Sequence, residues 1–356
     1  MWSWADCISR PRCSAGYLRG YDAPSATTLD QVTPPARRLH IVTGKGGTGK
    51  TTVAAALAIS LATRGRKVLL CEVEGRQGIA RLFDVPPLPY EEREIGVGHG
   101  GGQVYALAID AEAALMEYLA MYYKLGRAGK ALDKFGVIDF ATTIAPGVRD
   151  VLLTGKVYEA GRRRDKDGGY SYDAIVVDAP PTGRISRFLN VNNEVAGLAK
   201  VGPIRKQADA VTTMMQGRRT AVHLVTVLEE MPVQETLDAI ADLRSADLGV
   251  GNVIVNQVRQ SPLTPPAQDA IGSGRLDAAA ISASLAKTSI GASAELGVGL
   301  LEEGAAHAVR QELQTDQRKV LAGVDTQVIE LAYVSEGIDM GALYDLALSL
   351  REQGLQ

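Results

Sequence analysis

The sequence contains little cysteine: three residues, Cys7, Cys13 and Cys71, in a chain of 356. No two of them form a Cys-x-x-Cys pair, so the sequence provides neither a disulfide framework nor the ligands of a zinc ribbon. Structural disulfides belong mainly to oxidising compartments. We therefore expect the protein to work in a reducing compartment, and the cytoplasm is the predicted location.

Long hydrophobic runs are also missing. The longest apolar stretch, residues 53–62, is interrupted by Ser60 and is followed by Arg64, Arg66 and Lys67. A membrane-spanning helix needs about 20 consecutive, mostly apolar residues. The sequence therefore predicts no transmembrane segment.

The first 36 residues lack the continuous apolar core of a secretory signal, because Arg10, Arg12 and Arg19 interrupt them. This segment is rich in serine and threonine and contains Pro24, Pro34 and Pro35, a composition typical of a flexible leader. We predict that residues 1–36 form such a leader. Its role is open between an extension without function and a docking peptide.

A large excess of charge of either sign is absent. The chain has 38 Lys and Arg against 41 Asp and Glu, a formal net charge of −3, with 46% hydrophobic and 22% charged residues. These values are typical of a soluble globular protein. They exclude a disordered acidic chain and argue against a general nucleic-acid binder, so no nucleic-acid partner is expected.

After the leader, short apolar runs rich in valine and isoleucine alternate with helical patterns. Such runs without polar alternation are typical of parallel strands buried on both faces. The alternation predicts an α/β fold with a mostly parallel sheet covered by helices on both faces. The glycine-rich motif at residues 44–52 makes this the P-loop NTPase type of α/β fold. The predicted strands are residues 39–43, 67–72, 104–109, 172–178, 221–227, 250–256 and 327–333, and the clearest helices are 50–63, 232–245 and 302–322.

Two connections are too long for a simple crossover. They cover residues of about 111–164 and 188–219, and both show helical periodicity. Structureless loops of this length are uncommon inside compact domains. We therefore predict one nucleotide-binding domain over residues 37–356, with helical insertions in these two places forming a subdomain.

The strongest motif follows the first predicted strand and opens a helix of small residues. It matches the P-loop pattern, in which glycines let backbone N–H groups surround phosphates and the helix N-terminus adds favourable potential. In this pattern Lys50 reaches the β- and γ-phosphates of ATP, and the hydroxyl of Thr51 is a ligand of Mg²⁺. The motif is Gly44-Lys45-Gly46-Gly47-Thr48-Gly49-Lys50-Thr51-Thr52.

The second motif is an acidic residue, Asp178, which ends the predicted strand 172–178. Asp178 lies where ligands bind in open α/β sheets, at the carboxyl end of the strand. A carboxylate there suits Mg²⁺, which prefers oxygen ligands. On its own the residue is equally consistent with an Asp that caps a turn, but together with the P-loop it predicts a magnesium ligand.

These motifs together resemble those of the arsenical-pump and tail-anchored-protein-targeting ATPases, a branch of the deviant Walker A ATPases. Lys45 resembles the signature lysine of that superfamily, which contacts nucleotide across a dimer interface; the alternative is a solvated loop lysine. The resemblance extends from Leu39 to the C-terminus. It includes Asp178-Ala179-Pro180-Pro181-Thr182-Gly183, Thr226-Val227-Leu228-Glu229-Glu230-Met231 with Glu235-Thr236, Val253-Ile254-Val255-Asn256-Gln257 and Ala145-Pro146-Gly147.

The resemblance implies two further site residues. Asn256 occupies the position that contacts adenine, although an Asn that closes a strand is the alternative. Glu74 occupies the position of an Asp that orients the attacking water. Because Glu is one methylene longer, its carboxylate must be placed differently, and hydrolysis is expected to be slow or to depend on a partner. The alternative for Glu74 is a surface or helix-capping role.

The cysteines depart from the family pattern. Targeting members carry a Cys-x-x-Cys for a shared zinc, and pump members use separated cysteines for the metalloid; neither set is present here. Cys71 ends an apolar strand and is predicted to be a small buried residue. The sequence therefore offers no obvious soft-ligand set for zinc or arsenite.

The resemblance implies a Mg²⁺-dependent ATPase that acts as a dimeric switch, with itself or with a paralogue, on an apolar client or a membrane partner. One alternative is a nucleotide-binding regulatory subunit with little hydrolysis, paired with a paralogue. The other is a positioning ATPase of the division or partition type, which would need a basic membrane helix or a DNA-binding surface.

Overall fold

The computed structural model describes residues 37–123, 146–190, 203–289, 291 and 293–355. Short runs of apolar residues form the strands, and three of them, β1, β5 and β6, are buried along their whole length. The strands are β1 Leu39–Gly44, β2 Lys67–Glu72, β3 Arg93–Val97, β4 Gln103–Ala108, β5 Ala174–Asp178, β6 Thr220–Thr226, β7 Val250–Val258 and β8 Val328–Ala332.

Eleven helices connect the strands in the described ranges. Helix α1 contains Ala and other small residues and is buried from Val53 to Leu61, so it packs closely on the sheet. The helices are α1 Lys50–Leu61, α2 Gly78–Leu82, α3 Ala111–Tyr123, α4 Pro146–Arg162, α5 Thr182–Leu189, α6 Pro203–Met215, α7 Glu230–Ser245, α8 Pro265–Gly272, α9 Ala278–Leu285, α10 Ala294–Leu321 and α11 Met340–Glu352.

The strands form one eight-stranded sheet in the order β3-β4-β2-β5-β1-β6-β7-β8. All neighbouring strands are parallel except β3 and β4. Alternate residues of each strand face opposite sides of the sheet. One side packs against α4, α5, α6 and α7, and the other packs against α1, α2 and α11. The predicted α/β fold with helices on both faces is confirmed.

Strand β3 was not predicted. Only Ile95 and Gly96 of its five residues are buried, and the strand pairs antiparallel at the edge of the sheet with a bulge between Glu94 and Gly96. A five-residue edge strand with so little buried surface has no strong hydrophobic pattern. Its pairing with β4 is decided by the tertiary structure.

The predicted leader, residues 1–36, lies outside the described residues. So do the middle of the first predicted insertion, residues 124–145, and residues 191–202 of the second. The described parts contain α3 and α4 in the first insertion, and α6 with the last two residues of α5 in the second. None of the described helices is both long enough and apolar enough to cross a membrane.

Two buried histidines link β1 and β6. The backbone N–H of Asn252 donates to Nδ1 of His223 at 3.1 Å, which leaves the proton of His223 on Nε2. That Nε2–H donates to Nδ1 of His40 at 3.1 Å, and Nε2–H of His40 donates to the carbonyl of Arg37 at 3.3 Å. The chain of bonds satisfies both rings in the neutral form.

Acid is expected to destabilise the protein through this pair. Burial lowers the pKa of His40 to about 4 and lowers the pKa of His223 well below its usual value. A histidine with a depressed folded-state pKa stabilises the fold above about pH 6.5 and loses that contribution as the pH falls towards about 4. Each histidine should remove about 1.4 kcal/mol of unfolding free energy per pH unit in this window.

Urea unfolding between pH 7 and pH 5 measures this effect. A variant with His40→Gln and His223→Gln should lose stability less steeply than the wild type. Substitution of the exposed His99 by Gln should leave the slope unchanged. An equally steep loss in the double variant and the wild type would contradict the assignment.

Candidate nucleotide site

The P-loop connects the end of β1 to the start of α1. At two of its positions only glycine fits, because a side chain would collide with neighbouring atoms. A Cβ on Gly44 would lie 2.1 Å from the carbonyl oxygen of Val225. Gly49 has φ +85°, and a Cβ there would lie 2.4 Å from Nδ2 of Asn256. No side chain caps the N-terminus of α1. The first N–H groups of the helix therefore face the loop, where they suit a phosphate.

Thr51 and Asp178 meet at this loop. Oγ1 of Thr51 donates to Oδ2 of Asp178 at 2.6 Å. The other carboxylate oxygen, Oδ1, is buried and has no hydrogen-bond partner among the described residues. A buried carboxylate oxygen without a partner is costly unless a cation or donor completes it. The hydroxyl and the carboxylate together fit Mg²⁺, which takes oxygen ligands.

The electrostatics of the site suit the binding of a charged ligand. Burial, with the charges of Glu72 and Glu74, raises the pKa of Asp178 to about 6 against the opposing bond from Thr51 and the charge of Lys50. Burial also lowers the pKa of Lys50, although Asp178 and Glu74 act in the other direction. Both charges are therefore incompletely compensated, as expected where a charged ligand binds.

The second lysine of the loop has a partner on another element. Nζ of Lys45 lies 2.7 Å from Oε1 of Glu235 on α7. The other carboxylate oxygen of Glu235 accepts a 3.5 Å hydrogen bond from Oγ1 of Thr182, the first residue of α5. The side chains of Lys45 and Glu235 are about one-third exposed, 32% and 36%. Glu235 thus joins the P-loop to the turn that follows Asp178.

Glu74 lies on the opposite side of the loop, after β2. Its carboxylate is 3.5 Å from a guanidinium nitrogen of Arg76. Both residues line a cleft of about 200 Å³ to which Arg149 and Arg184 also contribute. The cleft therefore holds three arginines and two carboxylates, Glu74 and Asp150, and Arg184 lies 3.9 Å from the carboxylate of Asp150.

Sequence reasoning did not assign a role to these arginines or to Glu72. Glu72 is buried and accepts hydrogen bonds from the backbone N–H groups of Gly78 at 3.2 Å and Ile79 at 3.4 Å, so it shapes the segment that carries Glu74. The only available signal for Glu72 was a charge at the end of an apolar strand. Arg184 was visible beside the Pro-Thr-Gly turn, but its approach to the cleft depends on tertiary packing.

Asn256 holds the P-loop itself. The residue is buried at the end of β7, and its Nδ2 donates to the carbonyl of Thr48 at 2.9 Å. The side-chain hydroxyl of Thr48 donates to the carbonyl of Lys45 at 2.9 Å. Both bonds stabilise the folded loop. The carbonyl oxygen of the Asn256 amide is the atom that remains suited to the amino group of adenine.

All twelve predicted site residues lie at the carboxyl edge of the parallel sheet. Gly44, the P-loop and Thr52 follow β1, Glu74 follows β2, Asp178 ends β5, and Asn256 lies near the end of β7. These are neighbouring or near-neighbouring strands in the sheet order. In open α/β sheets this edge is where ligands bind.

Soft-metal ligands are not assembled in the described ranges. No group of three or more His, Cys, Asp or Glu side chains there is placed to hold a metal ion. Cys71 is fully buried with a free thiol, and burial raises its pKa. The prediction of a small buried residue at this position agrees with its environment.

Comparison with known proteins places this geometry in a family. The model of the anion-transporting ATPases of the ArsA type matches residues 37–218 and 199–264, which together include the P-loop, Asp178 and Asn256. The chain belongs to the anion-transporting ATPase family. Because the match covers most of the chain, the resemblance seen in the sequence motifs is confirmed.

Individual relatives of the chain differ in sequence identity and in coverage. The ATPase BagA of Mycobacterium tuberculosis is 52% identical over 319 residues, which cover 90% of this chain and 94% of the relative. The ATPase GET3 of Kluyveromyces lactis is 25% identical over 261 residues, 64% of this chain and 74% of the relative. A Halobacterium salinarum protein named for the arsenical pump-driving ATPases is 27% identical over 233 residues, 61% of this chain and 35% of the relative.

Proposed function

We propose that the protein is a Mg²⁺-dependent, cytoplasmic ATPase that works as a dimeric switch, either with a second copy or with a paralogue. The observation that carries this proposal is the position of Lys45. This lysine lies in the P-loop, yet its side chain points to Glu235 and remains partly exposed. A second P-loop cation with this placement suits a contact with the nucleotide of a partner subunit better than with its own.

Binding of ATP rests on groups already in place. The backbone of the P-loop and the uncapped N-terminus of α1 receive the phosphates, and Lys50 neutralises their terminal charge. Thr51 and Asp178 would hold Mg²⁺, which when bound compensates charge on the phosphates. Asn256 keeps the loop folded through Thr48 and offers its amide oxygen to the base.

Hydrolysis needs a group that orients water towards the terminal phosphate. Glu74 is the proposed group, because its carboxylate lies in the cleft beside Arg76, Arg149 and Arg184. The arginines suit the charge that develops on the transferred phosphoryl group. The Arg76 contact of 3.5 Å also holds the carboxylate in one place.

Substitution of Glu74 by Gln tests this role. We expect the variant to bind ATP as tightly as the wild type and to hydrolyse it about 100-fold more slowly, a typical loss when a positioned base is removed. Equilibrium binding of a fluorescent ATP analogue and steady-state phosphate release measure the two quantities. The matched control is Glu303→Gln on the exposed face of α10, which should change neither. Equal hydrolysis by Glu74→Gln and the wild type would rule out the role.

A regulatory subunit with little turnover is the second candidate, and Glu74 favours it, because a Glu stands where the resemblance implies an Asp and its carboxylate must be placed differently. Turnover of the purified chain alone, compared with turnover in the presence of a paralogue, separates the two functions. Activity that appears only with the paralogue and is unchanged by Glu74→Gln in this chain would support the regulatory one.

The described residues give an apolar client limited support. The cleft between α3, α4 and α6 has a volume of about 600 Å³. Its walls include the charged side chains of Glu117, Lys156, Glu159 and Lys206. A polar partner segment fits these walls better than a purely apolar helix does. The other kind of partner that we propose for the switch is a membrane protein.

A further inference from the structure

A second cavity lies at the amino-terminal edge of the sheet, opposite the nucleotide site. It has a volume of about 350 Å³ and is placed where β1, β5 and β6 begin. Backbone hydrogen bonds join these strand starts: Arg38 N–H donates to the carbonyl of Arg219, and Ile175 N–H donates to the carbonyl of Arg38. Apolar side chains form part of the lining, namely Leu39, Val157, Ile175 and Met214.

Four arginines line the same cavity, and three of them converge on one tyrosine. The guanidinium carbon of Arg38 lies 3.4 Å from the ring centroid of Tyr170, and that of Arg164 lies 4.3 Å from it. A guanidinium nitrogen of Arg219 lies 3.5 Å from the hydroxyl of Tyr170. The fourth, Arg162, comes from the end of α4.

The positive charge of this cavity has no matching carboxylate among the residues that the structure describes. Within the described ranges, no Asp or Glu contributes to its lining. None of the four arginines forms an ion pair in the part of the chain that the structure describes; Arg38 and Arg164 donate to backbone carbonyls instead. The adjacent Arg163 shows the contrast, because it pairs with both Glu92 and Glu159.

The titration behaviour of two groups agrees with a strongly positive environment. Burial lowers the pKa of Arg38, and the nearby charges of Arg219 and Arg164 add to this effect while Tyr170 and Asp173 oppose it. Burial acts to raise the pKa of Tyr170, but the hydrogen bond from Arg219 and the charges of Arg164 and Arg38 lower it overall. Asp173 is itself engaged, since its carboxylate accepts the backbone N–H of Lys67.

We propose that this cavity binds the phosphate group of an organic phosphate, with Arg162, Arg164 and Arg219 around the phosphate and the apolar lining against the organic part; Arg38, whose three guanidinium nitrogens donate to backbone carbonyls, adds positive charge behind them. Guanidinium groups bind phosphate oxygens in paired geometry. A dianion with three terminal oxygens matches several guanidinium groups better than a single carboxylate does. The site is separate from the P-loop, so it does not rest on the proposed ATPase function.

The test uses phenyl phosphate as the probe and phenol as its uncharged counterpart. The full chain carries Lys50→Ala, so that the P-loop contributes little phosphate binding. Isothermal titration at low salt should show binding of phenyl phosphate and none of phenol. Arg164→Gln and Arg219→Gln should each weaken binding about tenfold, the usual loss for one charged hydrogen-bonding partner.

Matched variants distinguish specific binding in this cavity from non-specific attraction of the phosphate to positive charge. Arg164→Lys keeps the charge but loses the paired geometry, so its binding should lie between that of the wild type and that of Arg164→Gln. Arg310→Gln removes an exposed arginine of α10 and should have no effect. Arg164 and Arg219 are both exposed, so folding should survive their substitution, which circular dichroism can verify.

A second arm asks whether the phosphate is carried by a lipid. Co-sedimentation with phosphatidylcholine vesicles that contain phosphatidic acid is compared with pure phosphatidylcholine vesicles. Binding in either arm that the Arg164→Gln, Arg219→Gln double variant abolishes supports the proposal and identifies a soluble or a lipid source. Absence of binding in both arms overturns it, as does binding that the double variant retains.

Discussion

Substitution of Asp178 by Asn should stop ATP hydrolysis and at the same time stabilise the protein in the absence of ligand. Activity should fall by about 10²–10³-fold, because the proposed Mg²⁺ site loses its carboxylate. Stability at pH 7 should rise by about 2–3 kcal/mol, since a buried carboxylate whose pKa is raised to about 6 opposes folding when it is ionised. Phosphate release and urea unfolding measure the two effects.

The pH dependence of the unfolding free energy shows in which pH range Asp178→Asn should be more stable than the wild type. Below a pH of about 6 the wild-type carboxyl of Asp178 becomes protonated in the folded state. The wild type therefore gains stability as the pH falls from about 6 to about 4, which is the pKa of this carboxyl in the unfolded chain. The stability advantage of Asp178→Asn should therefore be complete above pH 6 and should disappear below about pH 4. Asp345→Asn, at an exposed position of α11, is the control and should stay within about 0.5 kcal/mol of the wild type at all pH values. A destabilised Asp178→Asn variant would show that the charge is compensated.

Mixing two inactive variants should restore activity if Lys45 acts across a dimer. Lys45→Ala and Glu74→Gln should each retain about 1% of wild-type turnover or less. In a mixed dimer, the subunit with intact Glu74 receives the intact Lys45 of its partner. An equimolar mixture should reach about a quarter of the wild-type turnover, because half of the dimers are mixed and one of their two sites is complete.

A second mixture provides the control. Lys50→Ala and Glu74→Gln both damage the site of their own chain, so no mixed dimer of these variants contains a complete site. This mixture should remain inactive, whereas the first should not. If both mixtures stay inactive while light scattering shows that dimers exchange subunits, Lys45 does not act in the partner's site. Recovery of the first mixture would also exclude a function as a purely monomeric ATPase.

Several features of the molecule follow from patterns that are local in the chain. The glycines of the P-loop indicate a phosphate-binding turn, since a Cβ on Gly44 would collide with the carbonyl of Val225 and a Cβ on Gly49 would collide with the side chain of Asn256. Buried apolar runs indicate parallel strands, and an Asp directly after such a run lies at the ligand-binding edge. The α/β fold and the positions of Lys50, Thr51 and Asp178 in one place were predictable for this reason.

Other features needed the folded chain. The partner of Lys45 is Glu235, which lies on α7, and the support of the P-loop by Asn256 comes from β7. The edge strand β3 pairs with β4 although its own pattern is weak. The spacing along the chain of the residues in each of these contacts follows neither the helical nor the strand period, so the sequence pattern does not predict the contact.

The amino acid sequence by itself therefore determined the class of fold, the phosphate-binding loop and the carboxylate that faces it, because glycine geometry and strand periodicity act over a few neighbouring residues. Only the tertiary structure decided which charges are paired. Arg163 meets Glu92 and Glu159, while Arg164, the next residue, turns to Tyr170 and a cavity without carboxylates. Charge compensation depends on which strands and helices lie side by side, and distant parts of the chain supply them.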